Sequence, residues 1–313
     1  MLTAQTLWHI DPFSSQLISE KFATDKGSLL ETQFSMISTG TERLVAGGRV
    51  PASLREKMKV PFMKGSFDFP LAYGYSCVAS DKDGKSYHMM HPHSSKIIAP
   101  SDALFPLGNN APLSRYALIS NMETVVNAIW DAELSKGDRV AIIGGGNLGC
   151  MLALVVREIY GIDADVLEQV SERKELLKEL GFNVELNGLY QKVFHTSCSA
   201  SGLQRAIDIA DLDGRVIELS WYGTSEVQLS LGENFHYNRV TIRASQVSHI
   251  PPHQRDEYDF NSRKVYCASL IEQIDALDEL IHLVPFSDAV GFFERLRQGL
   301  LVRKPIFVFD YAK

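Results

Sequence analysis

The chain has 313 residues, 45% of them hydrophobic and 22% charged, with a formal net charge of -7. That length favours two domains, and that composition a globular protein with a substantial core. An acidic balance with no Lys/Arg block excludes a phosphate-backbone binder, so no nucleic-acid partner is expected.

Residues 1–118 read as β-rich and loop-rich, interrupted by "STGTERLVAGGRVP", "SFDFPLAYGYS" and "SDKDGKS". Runs such as "YSCVAS" and "KIIAP" predict strands bounded by turns, and "DKDG" predicts a hairpin turn. The texture changes in "APLSRYALISNMETVVNAIWDAEL", which has helical spacing. Strands and helices then alternate. "RVAIIG", "ADVLE", "KVFHTS", "RVIELSW" and "VTIRAS" predict strands. Between them "NLGCMLALVVREIYG", "SERKELLKELG" and "ASGLQRAIDIA" predict helices, the second with Ser171 as N-cap. Such alternation implies right-handed βαβ units and a parallel sheet. Beyond residue 246, "YCASLIEQIDALDELIHL" and "PFSDAVGFFERLRQG" predict helices and "KPIFVFDY" a closing strand.

Four cysteines, Cys77, Cys150, Cys198 and Cys267, are scattered without a C-x-x-C pair. That argues against a zinc knuckle or a disulfide framework. The start, "MLTAQTLWHIDPFSSQL", lacks a basic region followed by an apolar one. The longest apolar run, "CMLALVV", is far shorter than the ~20 residues that span a bilayer. The expectation is a reduced, cytoplasmic protein with no membrane partner.

Gly144, Gly146 and Gly149 form G-x-G-x-x-G between a predicted strand and a predicted helix. Gly144 permits a tight turn, Gly146 a close approach to a pyrophosphate, and Gly149 helix-strand packing. Asn147 and Leu148 lie in the opening turn of the helix, whose free N–H groups face the phosphates. Glu168 ends the second strand, where a carboxylate accepts from a ribose 2′-hydroxyl and repels a 2′-phosphate. NAD(H) is therefore expected over NADP(H), with Arg173 leaving NADP(H) open. The bland alternative is a βαβ unit whose glycines serve packing alone.

Taken together with the glycine turn, the motifs of the chain resemble the medium-chain dehydrogenase/reductase (alcohol dehydrogenase) superfamily. "SKGDRVAIIGGGNLG", "ISTGTE", "FPLAYGYS" and the ending "PFSDAVGFFERLRQG" plus "KPIFVF" carry the resemblance. "STGTERL", "HPHSSKI", "LSWYG" and "ASQV" are similar to its bacteriochlorophyllide dehydrogenase-like branch. The resemblance implies an α/β fold, a Rossmann doubly wound parallel sheet domain inserted in a GroES-like β-barrel catalytic domain. The implied boundaries are 1–118 for the catalytic domain, 119–246 for the Rossmann domain, and 247–313 for a segment completing the catalytic domain. It also implies a homodimer built partly on Rossmann sheet edges, and "VTIRAS" alternates as an exposed edge would.

The departures bear on metal. Thr39 stands where the family carries a zinc-binding cysteine, and Tyr75 and Ser76 where it carries a histidine-glutamate pair. The third ligand position offers Ser120, with Glu123 displaced. Hydroxyls are poor zinc ligands beside thiolate and imidazole, so no zinc is expected. His88, His91 and His93 form a rival metal set, opposed by Pro92 and by the lack of a Cys or carboxylate companion. A substrate- or cofactor-lining role is expected for His93 instead.

Without zinc, a hydrogen-bond donor must stabilise an oxyanion. The expected catalytic residues are Tyr75, Thr41, His93 and Thr39, with aromatic packing the alternative for Tyr75 and more so for Tyr73. Ligands of doubly wound sheets bind beyond the carboxyl ends of strands, which adds Ser197, Cys198, residues 221–223, Ser245 and Gln246. Ordinary turn structure is the alternative for each. The expected function is zinc-independent hydride transfer between nicotinamide and an alcohol or carbonyl of a small-molecule substrate. Quinone- or enone-reductase activity and a non-catalytic dinucleotide-binding role are the alternatives.

Overall fold

A computed structural model describes residues 2–22, 27–300 and 302–312. The chain forms two compact units. One comprises residues 1–120, 281–300 and 306–313; the other comprises 121–280 and 301–305.

The second unit is built on a parallel sheet. Its strands are β1 (Val140–Ile143), β2 (Asp165–Leu167), β3 (Tyr190–His195), β4 (Ala210–Glu218) and β5 (Thr241–Ala244), in the order β2-β1-β3-β4-β5. Three helices return the chain between them: α1 (Asn147–Tyr160), α2 (Ser171–Glu179) and α3 (Ala200–Asp208). Strand β1 is "VAII", buried at all four positions, as a strand covered on both faces must be. Its Ala141 and Ile143 pack with Val193, Ile207 and Val216 in one core cluster. Helix α1 is buried from Gly149 to Val156 and ends on Gly161 in the left-handed conformation, φ 64°. Strand β5 is the sheet edge, exposed at both ends. Ser171 is the first helical residue of α2 and Val170 its N-cap, without a side-chain cap bond. The helix Phe260–Gln273 also belongs to this unit.

The first unit is predominantly β. Leu2–Asp11 pairs antiparallel with Ser14–Phe22, and Asp11 closes their turn by accepting from the Phe13 and Ser14 backbone N–H groups. Short strands Leu71–Ala72 and Lys64–Gly65 complete a four-stranded sheet. A seven-stranded sheet holds Ser28–Ile37 at its middle, flanked by Cys77–Ser80 and Ile306–Asp310. The hairpin Cys77–Ser80/Ser86–Met89 turns through "DKDG", where Asp81 accepts from the Asp83 and Lys85 N–H groups.

The expected GroES-like β-barrel is corrected. Among the described residues these strands make two open sheets linked by the bridge Thr6–Ser94, and no strand path closes on itself. Two local expectations also change. "IHLVP" is a strand, Ile281–Pro285, parallel to Ile306–Asp310, and not a continuation of the preceding helix. "TGTERLVA" is a helix, Thr39–Ala46, in a stretch that reads as loop. Glu42 reaches back to accept from the Ser38 N–H at 2.8 Å, doing the work of a cap. No helix of the described residues is long and apolar enough to cross a membrane.

Candidate functional site

The three glycines of the turn differ in what surrounds them. Gly144 has φ +110°, and a Cβ there would lie 2.9 Å from the Ser197 nitrogen. A Cβ on Gly149 would fall 1.8 Å from the Gly144 carbonyl oxygen, so the helix start is pressed against the turn. Gly146 is the opposite case, with nothing within 4 Å of an added Cβ. It is the N-cap of α1 and offers no side-chain cap, which leaves the first N–H groups of the helix for a ligand. Asn147 is buried, and its Oδ1 has no hydrogen-bond partner among the described residues. Leu148 is half-buried and has only its backbone to offer.

This turn opens on a pocket of about 480 Å³ whose lining includes Gly146, Glu168, Arg173, Ser197, Ser199 and Arg205. Glu168 is fixed by its own loop. Its Oε1 accepts from the Gln169 N–H at 2.6 Å and the Val170 N–H at 2.9 Å. Oε2 faces Arg173 at 3.7 Å, beyond hydrogen-bond reach. Arg173 is held in turn by the Val302 carbonyl, which accepts from its Nε at 3.0 Å. Cys150 is a packing residue with its thiol on the Gly145 carbonyl; burial pushes its pKa up to about 12.

The strand ends fare unequally. Ser197 lines the pocket. Ser245 does not: its hydroxyl donates to Asp131 at 2.7 Å, beside Arg243. Two residues that the sequence reading passed over stand next to Ser197. His195 places Nε2 2.7 Å from the Ser197 hydroxyl and Nδ1 2.8 Å from Glu218. They are register partners at the ends of β3 and β4. The signal was there, since both end parallel strands, but their pairing needs the register.

In the first unit, Tyr75 is half-buried and Thr41 and Thr39 sit on the helix Thr39–Ala46. Burial, then the Glu42 charge, push the Tyr75 phenol up to about 12, against opposing hydrogen bonds with Ser38 and Thr41. It is therefore neutral and able to donate throughout the physiological range. Tyr73 is buried, edge-on to Tyr75, with its hydroxyl on the Met58 carbonyl.

His93 is placed differently from the expectation of a lining residue. It is fully buried, with Nε2 2.8 Å from Glu42 and Nδ1 2.7 Å from Ser35. Both nitrogens are engaged, so it has no donor to spare. His88 lies on the Ser76 hydroxyl at 2.9 Å. His91 bonds through Nδ1 to the Pro92 carbonyl, and burial lowers it to about 4. The three imidazoles go to separate partners. Among the described residues no group of three or more His, Cys, Asp or Glu is placed to hold a metal. Ser76 donates to the Ala117 carbonyl, Ser120 to the Tyr75 carbonyl, and Glu123 pairs with Arg263.

No family model matches the chain. Among solved structures it is similar to an alcohol dehydrogenase of Escherichia coli CFT073, named as short chain and complexed with NADH. Identity is 13% and the TM-score 0.74 over 99% of each chain. It is similar also to 2R,3R-butanediol dehydrogenase from Bacillus subtilis, at 13% identity and TM-score 0.75 over 99% of each chain. Acetophenone reductase from Geotrichum candidum, in complex with NAD, shares 14% identity at TM-score 0.75 over 98% of this chain and 97% of its own. Identities this low show the fold: an α/β, Rossmann-like dinucleotide-binding fold shared with dehydrogenases and reductases. The medium-chain placement, with its bacteriochlorophyllide dehydrogenase-like branch, is corrected on these findings. One matched structure is named as a short-chain enzyme, no family model matches, and the antiparallel strands form open sheets where a barrel was expected.

Proposed function

We propose that the protein is an NAD(P)(H)-dependent, alcohol-dehydrogenase-like oxidoreductase that prefers NAD(H) and works without zinc on a small alcohol or carbonyl compound. The observation that carries this reading is the pocket at the end of β1. Gly146 leaves it open, the start of α1 brings uncapped N–H groups, and Oε2 of Glu168 is free to accept. A buried, unpartnered Asn147 Oδ1 at the same turn fits a ligand that donates there. These residues fit a dinucleotide. A bound nicotinamide supplies or accepts a hydride. The chain's residues bind the phosphates at the helix start, hold the ribose on Glu168, and offer a neutral hydroxyl to the substrate oxygen. Thr39, Tyr75, Ser76 and Ser120 do not make a zinc site, and no step is assigned to a metal.

Fluorescence titration with NADH and NADPH, followed by turnover against aldehydes, ketones and quinones, tests the reading. NADH is expected to bind more tightly. Glu168→Gln keeps an acceptor for the Gln169 and Val170 N–H groups but removes the charge that opposes a 2′-phosphate. It is expected to cut the NADH-over-NADPH preference by at least about tenfold, ~1.4 kcal/mol. Tighter NADPH binding by the unmodified protein would remove the assignment of Glu168, and binding with no turnover would favour a non-catalytic role. Elemental analysis of the purified protein is expected to give far less than one zinc per chain, with turnover insensitive to chelators; stoichiometric zinc would end the metal-free reading.

A further inference from the structure

Ser197, His195 and Glu218 form a hydrogen-bonded line that dinucleotide binding does not call for. Glu218 Oε1 is fixed by the Ser220 N–H at 2.6 Å, and its Oε2 lies 2.8 Å from His195 Nδ1. A carboxylate only accepts, so Nδ1 carries the proton and Nε2 is left as the acceptor. Nε2 lies 2.7 Å from the Ser197 hydroxyl. Ser199 completes the direction of the chain. Its hydroxyl accepts from the Gly202 N–H at 3.0 Å and lies 2.9 Å from Ser197, free to donate. The Ser197 proton is thereby aimed at the imidazole. Gly202 makes the gathering possible: a Cβ there would fall 2.2 Å from Ser197 Oγ and 2.8 Å from His195 Nε2.

The chain contains the same trio a second time, and the contrast is informative. Ser35, His93 and Glu42 are joined by bonds of 2.7 and 2.8 Å but are all buried, so no substrate reaches that serine. Ser197 is exposed and lines the pocket, while His195 beneath it is fully buried. Buried base, fixed carboxylate and accessible hydroxyl are the parts of an activated nucleophile. The first N–H groups of the nine-residue helix α3, those of Ala200 and Ser201, carry no acceptor among the described residues and stand at the same turn. They are available to a developing oxyanion. Two arginines, Arg173 and Arg205, and one carboxylate, Glu168, line the pocket; Arg173 stands 3.7 Å from Glu168, which leaves Arg205 as the cation for an anionic group.

We propose that Ser197 is a nucleophile, activated by His195 and Glu218, and that the pocket hydrolyses small acyl esters bearing an anionic group. Ser197 Oγ attacks the acyl carbon as its proton passes to His195 Nε2. The bond to the leaving alcohol breaks, and the alcohol takes that proton. Water then attacks the acyl-serine, losing a proton to Nε2. The bond to Oγ breaks, the carboxylic acid leaves, and Ser197 recovers its proton. Ester and water become acid and alcohol, with no oxidant or reductant. The inference does not depend on dinucleotide binding.

The test treats the intact protein with a fluorophosphonate, locates the adduct by peptide mass spectrometry, and follows release of p-nitrophenol from p-nitrophenyl succinate and p-nitrophenyl acetate. The adduct is expected on Ser197, NADH is expected to slow its formation, and the succinate ester is expected to be the better substrate. His195→Gln and Ser197→Ala are expected to lower hydrolysis by about 100-fold or more, the usual scale for a general base. An adduct on another residue, or none, overturns the proposal, and that readout on the unmodified chain needs no variant to fold. Labelling of Ser197 in a protein that binds no NADH would sink the dinucleotide reading and leave this one standing.

Discussion

Gly149→Ala is expected to lower the stability of the protein and abolish dinucleotide binding, whereas Gly146→Ala is expected to lose binding with its stability intact. The two glycines sit three residues apart and face different neighbours. At Gly149 the new Cβ meets the Gly144 carbonyl oxygen at 1.8 Å and the Thr196 hydroxyl at 2.9 Å. A backbone carbonyl has no rotamer to move into, so the turn itself must shift. Overpacking of this kind typically costs about 1–3 kcal/mol, and the contact here belongs at the upper end. For a chain of this size each kcal/mol moves the melting midpoint by roughly 2–4 °C, so a fall of about 5 °C or more is expected. At Gly146 the backbone is extended, φ −79°, and the Cβ meets no atom within 4 Å. The methyl group does not strain the fold, but it occupies the space where the proposed phosphates would meet the helix start. Thermal melts and NADH titration of both variants check this. Equal melting of Gly149→Ala and the parent would remove the close-packing role, and undiminished NADH affinity in Gly146→Ala would move the phosphates elsewhere.

How much of this was legible in the sequence depended on the range of the interactions. The β1–turn–α1 unit is encoded within about twenty residues, in an apolar strand, a glycine spacing and a helix ending on Gly161. The short strand Ile281–Pro285 was hidden because its partner, Ile306–Asp310, lies beyond an intervening helix, and nothing local marks "IHLVP" as paired. The helix Thr39–Ala46 was hidden for a different reason. Its start is rich in Thr and Gly, which read as turn, and its stabilisation comes from Glu42 reaching back to Ser38. The barrel expectation came from motif similarity spread along the chain. Motifs of a few residues do not specify how the strands of a four-stranded and a seven-stranded sheet close or fail to close, and among the described residues the sheets stay open.

The candidate site followed the same division. The glycine turn and Glu168 stand out in the sequence because their places, one at the end of β1 and the other just past β2, are set by local strand and helix signals. His93 was misplaced because nothing in "HPHSS" reveals the Glu42 and Ser35 side chains that surround it. His195 and Glu218 lie 23 residues apart and meet only through the parallel register of β3 and β4.

Tyr75→Phe is expected to reduce turnover sharply while leaving NADH affinity nearly unchanged. In the proposed metal-free reaction, a hydroxyl donor takes over the charge that develops on the substrate oxygen. Tyr75 suits this better than the other candidates of the first unit. His93 has both nitrogens engaged, and Tyr73 donates to the Met58 carbonyl. The Tyr75 phenol is held neutral by burial and the Glu42 charge, with its pKa pushed up to about 12. Because the shift is upward, the donor persists as pH rises through 10, where an ordinary phenol is half ionised. Activity limited by Tyr75 is therefore expected to stay level between pH 7 and 10. Loss of one such donor typically costs roughly 2.7–4 kcal/mol, or about 10²–10³ in kcat. The ring of the Phe variant still meets Tyr73 edge-on, at 6.1 Å between centroids, so the fold is expected to survive. Steady-state kinetics on a responsive substrate, with NADH titration and a thermal melt in parallel, separate the roles. A variant that turns over as fast as the parent makes Tyr75 a packing residue and passes the donor role to Thr41, on the neighbouring helix.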